Sequence, residues 1–74
     1  MTSLPALTGG EIVKALVKAG FQLVRQKGSH VRLAHPDGRV TVIPVHKGES
    51  IGKGLMSKIL RDVDLSKEEF FSLL

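Results

Sequence analysis

The sequence contains no cysteine, tryptophan or tyrosine, and these absences restrict the classes of protein to which it can belong. Without cysteine, neither a disulfide nor a thiolate zinc site can support the fold. There is no run of about 20 apolar residues, so we expect no membrane span. The N-terminus lacks the basic segment and apolar stretch of a signal peptide. We therefore expect a cytoplasmic protein, a location that suits a chain without cysteine.

The length of 74 residues predicts one small domain over residues 1–74, with a loose leader over residues 1–7. A chain of this size buries only about 60% of the surface that its unfolded form exposes, so we expect modest stability. Leucine, isoleucine, valine and three phenylalanines must supply the core.

Positive charge is concentrated in the middle of the chain. The whole chain has a net charge of +4, and residues 25–58 alone carry seven cations and two acids, a balance of +5. The remainder carries four cations and five acids. This distribution favours an anionic partner such as nucleic acid. An ordinary solvated surface is the alternative interpretation.

Helical periodicity and helix-start signals predict three helices. Thr8 with Glu11 has the spacing of a capping box, and Gly20 suits the left-handed end of the first helix. A second helix is predicted over about 52–62. Ser66 with Glu69, spaced like the first pair, opens a short final helix. The apolar stripe expected to bury the first helix consists of Ile12, Val13, Leu16, Val17 and Ala19.

Three strands are predicted between the first two helices, over 21–26, 30–35 and 39–45. Tight turns at Lys27-Gly28 and Pro36-Asp37-Gly38 join them, so the strands form an antiparallel meander. We therefore predict an α+β fold of α-β-β-β-α order with a short C-terminal helix. Both main helices pack on one face of the three-stranded antiparallel sheet, and the other face stays open.

The alternation of the second strand places one histidine on the open face. If Val31 and Leu33 face the helices, His30 and Arg32 point the other way. An unperturbed imidazole titrates near ~6.5, so His30 can exchange a proton near neutral pH. The alternative is that His30 is an ordinary surface residue or forms a hydrogen bond with the turn.

The other histidines do not indicate a metal site. His30 and His35 fall on opposite faces of a strand, His46 lies in another segment, and no His-Glu-x-x-His pattern is present. His35 is expected to serve its turn, whereas His46 is either a loop residue near an anion site or a partner for the strand end. Ser29 and His30 point apart in an extended chain, so we expect Ser29 to position the turn or contact phosphate.

A proton-transfer group among cations is suited to cleaving RNA without a metal. The ribose 2′-hydroxyl attacks the adjacent phosphorus and the 5′-oxygen leaves, with imidazole taking or giving the proton. Cations stabilise the extra charge on the phosphate in the transition state. No second proton-transfer group is assigned. The candidate cations are Arg25, Lys27, Arg32 and Lys47.

Five sequence elements give the chain a resemblance to HicA-type toxins, from Thr8 to Phe71. The most specific are Gly28-Ser29-His30, within the run that starts at Arg25, and Pro44-Val45-His46-Lys47-Gly48. The others are Gly20-Phe21, His35-Pro36-Asp37-Gly38, and Gly54 through Ile59-Leu60 followed by the Ser-x-x-Glu start.

The resemblance implies a fold like that of double-stranded RNA-binding domains and an mRNA interferase, a metal-independent endoribonuclease without a cofactor. It also implies inhibition by a HicB-type antitoxin that masks the active site, and it assigns the catalytic role to His30. The sequence does not reveal the oligomeric state of the free toxin, and a monomer is one of the states that stay open. The predicted RNA-binding residues are Arg25, Lys27, Gly28, Ser29, Arg32, His46 and Lys47.

Two other functions fit the same residues. A non-catalytic RNA-binding module would use the same basic face, bind RNA in a salt-dependent way and leave it uncut. A degenerate toxin would keep only the antitoxin-binding surface. Incubation with RNA in the presence of a chelator separates cleavage from binding.

Overall fold

Six elements follow one another in the computed structural model, which describes residues 6–74. They are, in chain order, α1 (Gly9–Lys18), β1 (Gln22–Lys27), β2 (His30–Ala34), β3 (Val40–Pro44), α2 (Lys53–Val63) and α3 (Lys67–Phe71). The predicted order is confirmed, and each predicted strand and the second helix begin and end within one residue of the observed limits.

The three strands form one antiparallel sheet in the order β1-β2-β3, with β2 in the centre. In the β2–β3 pair, Val31 lies opposite Ile43 and Leu33 lies opposite Thr41. These four residues are buried. They mark the face of the sheet that is covered by the helices, as predicted.

The core lies between this face and the helices. Both α1 and α2 contact β3, and Phe70 of α3 is fully buried beside them. Thr41 is the one buried polar side chain recorded in the described part of the chain. Its hydroxyl donates to Asp62 Oδ2 at 3.0 Å, which links β3 to α2. The largest buried side chains are Phe21, Phe70, Ile12, Leu16, Leu33, Ile43, Ile59 and Val63.

Both predicted capping boxes are present. The Thr8 hydroxyl accepts from the Glu11 N–H at 3.2 Å, and the Glu11 carboxylate accepts from the Thr8 N–H at 2.9 Å. Ser66 and Glu69 make the same reciprocal pair at the start of α3. These bonds satisfy amides that a helix start leaves without intrahelical partners.

The predicted apolar stripe of α1 is wrong at one position. Val17 is 50% exposed, whereas Ala15 is buried in the core. An α-helix has 3.6 residues per turn, so Ile12, Ala15 and Leu16 lie on one face of α1. This buried face is narrower than the apolar stripe predicted from the sequence. Val17 lies beyond the edge of that stripe.

The predicted leader, residues 1–7, falls largely outside the described residues. Leu7 is described, is 7% exposed and belongs to the core. Its carbonyl accepts from the Ile51 N–H at 2.7 Å, and Thr8 forms an isolated bridge with Ser50. From Leu7 onwards the chain is therefore tied to the segment that precedes α2.

The backbone at the start of α1 touches the end of β3. A Cβ atom placed on Gly9 would collide with the Pro44 carbonyl, whereas one on Gly10 would meet only the Thr8 hydroxyl at 4.0 Å. Glycine at position 9 thus permits a close approach between helix and strand. Since Pro44 pairs with His30, this contact also supports the end of the sheet that carries the histidine.

Strand β1 contains an irregularity that the sequence analysis did not predict. Leu23 lies opposite Leu33, but the next pair joins Arg25 to Arg32, so Val24 is an extra residue without its own partner. Such a bulge reverses the faces of the residues that follow it. Leu23 therefore shares the face of Leu33, whereas Arg25 shares that of Arg32.

Within residues 6–74, no helix is long and apolar enough to cross a membrane.

Candidate active site

His30 is the first residue of β2 and lies on the open face of the sheet. Its side chain is exposed, as is that of Arg32, whereas Val31 and Leu33 are 3% and 0% exposed. This alternation is the one predicted from the sequence. A substrate can therefore reach the imidazole without any movement of the core.

Two cross-strand rows bring cations to the histidine. Lys27 lies opposite His30, and Arg25 lies opposite Arg32 in the neighbouring row. Directly opposed residues of antiparallel strands have Cα atoms about 4.5–5.5 Å apart and point to the same side. The bulge at Val24 makes this arrangement possible, because regular pairing from Leu23 onwards would turn Arg25 towards the helices.

The acidic side chains that form ion pairs with Lys or Arg bind cations outside these two rows. Asp37 accepts from Arg39, with Nη2 and Oδ2 2.9 Å apart, and Asp62 accepts from Lys58 at 2.7 Å. The hydrogen bond from Arg39 lowers the pKa of Asp37, and the bond from Lys58 is the main cause of the lowered pKa of Asp62.

The recorded ion pairs of residues 6–74 therefore leave the cations of the two rows unneutralised, with Arg25 directly facing Arg32. Directly opposed like charges destabilise a strand pair. An anionic ligand would remove that cost, so the rows form a surface suited to phosphate.

The second motif predicted from the sequence meets the first at the Gly28-Ser29 turn. The Val45 N–H donates to the Ser29 carbonyl at 2.6 Å, and Ser29 Oγ lies 3.3 Å from His46 Nε2. The Gln26 side-chain amide donates to the Gly28 carbonyl at 3.2 Å. The structure thus brings His46 to the turn that precedes His30.

The two remaining predicted site residues, Gly28 and Lys47, lie in turns. Gly28 has a φ of 58°, a left-handed conformation that few other residues adopt. Lys47 is exposed and follows His46 in a turn that Gly48 closes with a φ of 78°. Of the predicted site residues, only Lys47 has no recorded pairing or hydrogen bond that connects it to the two rows.

Strand β3 completes the open face with apolar residues. Pro44 lies opposite His30, Val42 opposite Arg32 and Val40 opposite Ala34. The sequence analysis did not assign these residues to the site. Counting outward symmetrically from Asp37, the centre of the β2–β3 turn, would have given the pairs. The open face therefore has a cationic half, on β1 and β2, and an aliphatic half on β3.

His35 is separate from this surface and supports its turn, as predicted. The Asp37 N–H donates to His35 Nδ1 at 3.1 Å, and the ring meets the Phe21 ring edge-on with centroids 5.1 Å apart. Across the described residues, no group of three or more His, Cys, Asp and Glu side chains is placed to hold a metal ion.

A shallow depression lies on the helical side of the molecule, away from these residues. Its walls come from α1 and the C-terminal end of the chain, and they contain no residue of the sheet. The lining residues are Leu7, Glu11, Lys14, Ala15, Lys18, Leu73 and Leu74. The candidate site residues lie outside this depression, on the open face of the sheet.

Comparison with known proteins gives one family. The model of the family described as the HicA toxin of bacterial toxin-antitoxin matches residues 9–65, about three quarters of the chain. The match includes all three strands, α2 and every residue of the candidate site. No curated protein matches the chain.

Proposed function

This chain belongs to the HicA toxin family of bacterial toxin–antitoxin systems, and we propose that it is an endoribonuclease that cuts mRNA with His30. One observation carries the proposal. An exposed imidazole lies on an open sheet face beside Lys27, next to a row in which Arg25 and Arg32 face each other. Such a face holds a proton-transfer group and phosphate-binding groups within one cross-strand spacing.

The proposed reaction needs no group beyond the RNA and the protein. The 2′-oxygen of a ribose attacks the adjacent phosphorus while its proton passes to a base, and the 5′-oxygen leaves with a proton from an acid. Proton transfer by a positioned imidazole such as His30 contributes typically about 10²- to 10⁴-fold in rate. Lys27, Arg25 and Arg32 stabilise the additional negative charge on the phosphate.

The cleavage assay uses purified protein, a defined single-stranded RNA and a chelator. We expect cleavage by the wild type with chelator present, and no cleavage by His30→Ala at unchanged thermal stability. Lys67→Ala, on α3 and outside the sheet, is the matched control and keeps wild-type activity. A folded His30→Ala protein that cuts RNA at the wild-type rate would contradict the assignment.

The same assay addresses the non-catalytic alternative. A protein that only binds RNA retains the substrate intact, and its affinity still falls with salt because cations release counterions from phosphate. Retention of intact RNA by the wild type, over hours at neutral pH, would replace the nuclease proposal with the RNA-binding module. Cleavage that stops on addition of chelator would instead contradict the metal-independent reaction.

The partner proposed for this toxin is a HicB-type antitoxin that covers His30. The cationic half of the open face favours acidic side chains on that partner. Charge reversal in Arg32→Glu is expected to weaken the complex strongly, and added salt is expected to slow its formation. Antitoxin binding that is insensitive to both changes would remove the electrostatic part of the proposal.

A further inference from the structure

We propose that His46 is the second proton-transfer residue of this ribonuclease, complementary to His30, and that Ser29 positions its imidazole. The inference rests on the proposed function. It assigns the group that the reaction requires in addition to His30, since a single imidazole cannot hold a neutral and a protonated state at the same moment.

The strand register brings His46 close to the end of β2 at which His30 lies. Pro44 is the partner of His30, and the bond from the Val45 N–H to the Ser29 carbonyl extends the ladder by one residue. Val45 is partly buried and packs against the core, whereas His46 is exposed. His46 thus lies two residues beyond Pro44, which is the last residue of β3 and the partner of His30.

The resulting relation between His30 and His46 is a diagonal one. Residues at positions i and j+2 of an antiparallel pair have Cα atoms about 7–8 Å apart, within reach of long side chains. A phosphate between the two rings would have one imidazole on each side of the phosphorus. Each ring must lie within about 3 Å of the oxygen that it serves, which this diagonal spacing allows.

The contact with Ser29 orients the His46 ring. Ser29 Oγ lies 3.3 Å from His46 Nε2, and the serine backbone is held by the bond from Val45. Ser29 is half-buried and precedes His30 directly. One turn residue thus connects the two histidines, so the position of each depends on the same piece of backbone.

The third histidine is not available for this role. His35 Nδ1 accepts the Asp37 N–H, and its ring packs edge-on against Phe21. It follows the opposite end of β2 from His30. Among the three histidines of the chain, His46 is the one that shares a turn with His30.

The division of labour follows from the bonds that change. The P–O2′ bond forms and the P–O5′ bond breaks. The 2′-hydroxyl proton passes to one neutral imidazole, and the other imidazole, protonated, gives a proton to the 5′-oxygen. The products end in a 2′,3′-cyclic phosphate and a 5′-hydroxyl, and the enzyme is left with the two protonation states exchanged.

The experiment compares two RNAs that differ in one atom at a single scissile bond, the bridging 5′-oxygen or a sulfur in its place. A thiol ionises near ~8.5, far more readily than an alcohol, so the sulfur leaves without a proton from an acid. The variants are His30→Ala, His46→Ala and, as the matched control, Lys47→Ala, with folding checked by circular dichroism and thermal unfolding.

We expect His46→Ala to lose about 10²-fold or more in rate on the oxygen RNA, by the usual size of proton-transfer catalysis. The cleavage rate of one histidine variant recovers on the sulfur RNA, because that variant lacks only the acid and the sulfur needs no proton to leave. The rate of the other variant, which lacks the base, does not recover. For Lys47→Ala, we expect the cleavage rate to fall by the same factor on the oxygen RNA and on the sulfur RNA.

Three results would overturn the inference. If the wild type and Lys47→Ala cut RNA and His30→Ala does not, but His46→Ala cuts at the wild-type rate, only the role of His46 fails. Rescue of both histidine variants, or of neither, would also contradict a divided acid and base. A wild type that cuts neither RNA would remove the proposed function itself, and the role of His46 with it.

The positioning role of Ser29 has its own measurement. We expect Ser29→Ala to lower kcat with little change in KM and no loss of thermal stability, and Ser29→Thr, which retains a hydroxyl, to restore most of the rate. A Ser29→Ala protein that changes only KM would identify Ser29 as an RNA-binding residue instead.

Discussion

At the scale of single residues, the facing pair Arg25 and Arg32 couples stability to function. The two cations lie directly opposite each other without a recorded acidic partner. Opposed like charges weaken a strand pair. In the proposed function, a polyanion on the open face offsets that cost.

Arg32→Gln is therefore expected to stabilise the free protein and weaken its activity. Removal of one charge relieves the repulsion with Arg25, so the midpoint of urea unfolding rises. RNA cleavage falls by about 10²-fold, as for loss of one charge-stabilising group. Lys14→Gln, on α1, serves as the control; it keeps wild-type cleavage and shows no rise in the midpoint of urea unfolding. An Arg32→Gln protein of lower stability would contradict the repulsion.

A second residue-scale prediction concerns the buried hydroxyl of Thr41. Thr41 is 2% exposed and donates to Asp62. Asp62→Ala leaves that hydroxyl without its partner and is expected to cost about 1–3 kcal/mol in urea unfolding. Thr41→Val removes the hydroxyl, so Asp62→Ala should lower the free energy of unfolding by less in the Thr41→Val protein than in the wild type. Additive losses in the double variant would show that the two side chains do not interact.

At the scale of elements, the contact between α1 and β3 links the helix to the site. Gly9→Ala forces a methyl group into the Pro44 carbonyl, so we expect lower thermal stability and reduced cleavage, since Pro44 pairs with His30. Gly10→Ala is the matched control. It meets no close atom and gains helix propensity of up to ~1 kcal/mol. Equal stability of both variants would contradict the contact.

Most elements follow from local rules that act within a few residues. The capping boxes at Thr8 and Ser66, the turn at Gly28 and the alternation around Val31 each depend on near neighbours in the chain. The sequence therefore predicted the order of helices and strands, the covered face of the sheet and the exposure of His30.

The features that were not predicted depend on pairing between segments. The bulge at Val24 is a property of two strands together, and strand alternation assumes that it is absent. Contact of Ser29 with His46 requires the end of β3 to return to the first turn. The exposure of Val17 depends on which other segments pack against α1. The periodicity of the helix sequence does not identify those segments.

At the scale of the whole molecule, four carboxylates connect pH to stability. The pKa of Asp37 is lowered mainly by Arg39, and that of Asp62 mainly by Lys58. Backbone N–H bonds within the two capping boxes are the main cause of the lowered pKa values of Glu11 and Glu69. All four groups therefore favour the folded state when they are ionised.

The pH dependence of unfolding follows from these directions. A carboxylate with a lowered pKa stabilises the fold above its unfolded value near ~4, and that contribution is lost as the pH falls through the folded pKa. We expect a flat melting temperature from neutral pH to about 5 and a fall below ~4. The variant with both Glu11→Gln and Glu69→Gln, which lacks two of the four titrating carboxylates, should show a smaller fall. An equal fall in melting temperature would show that other titrating groups cause the loss of stability at low pH.

The extra residue in β1 makes the open face tolerant of a deletion. Loss of Val24 would leave Leu23 beside Leu33 and Arg25 beside Arg32, joined by an uninterrupted ladder. Arg25 and Lys27 would keep their side of the sheet, so a chain that is one residue shorter here retains the same charged surface.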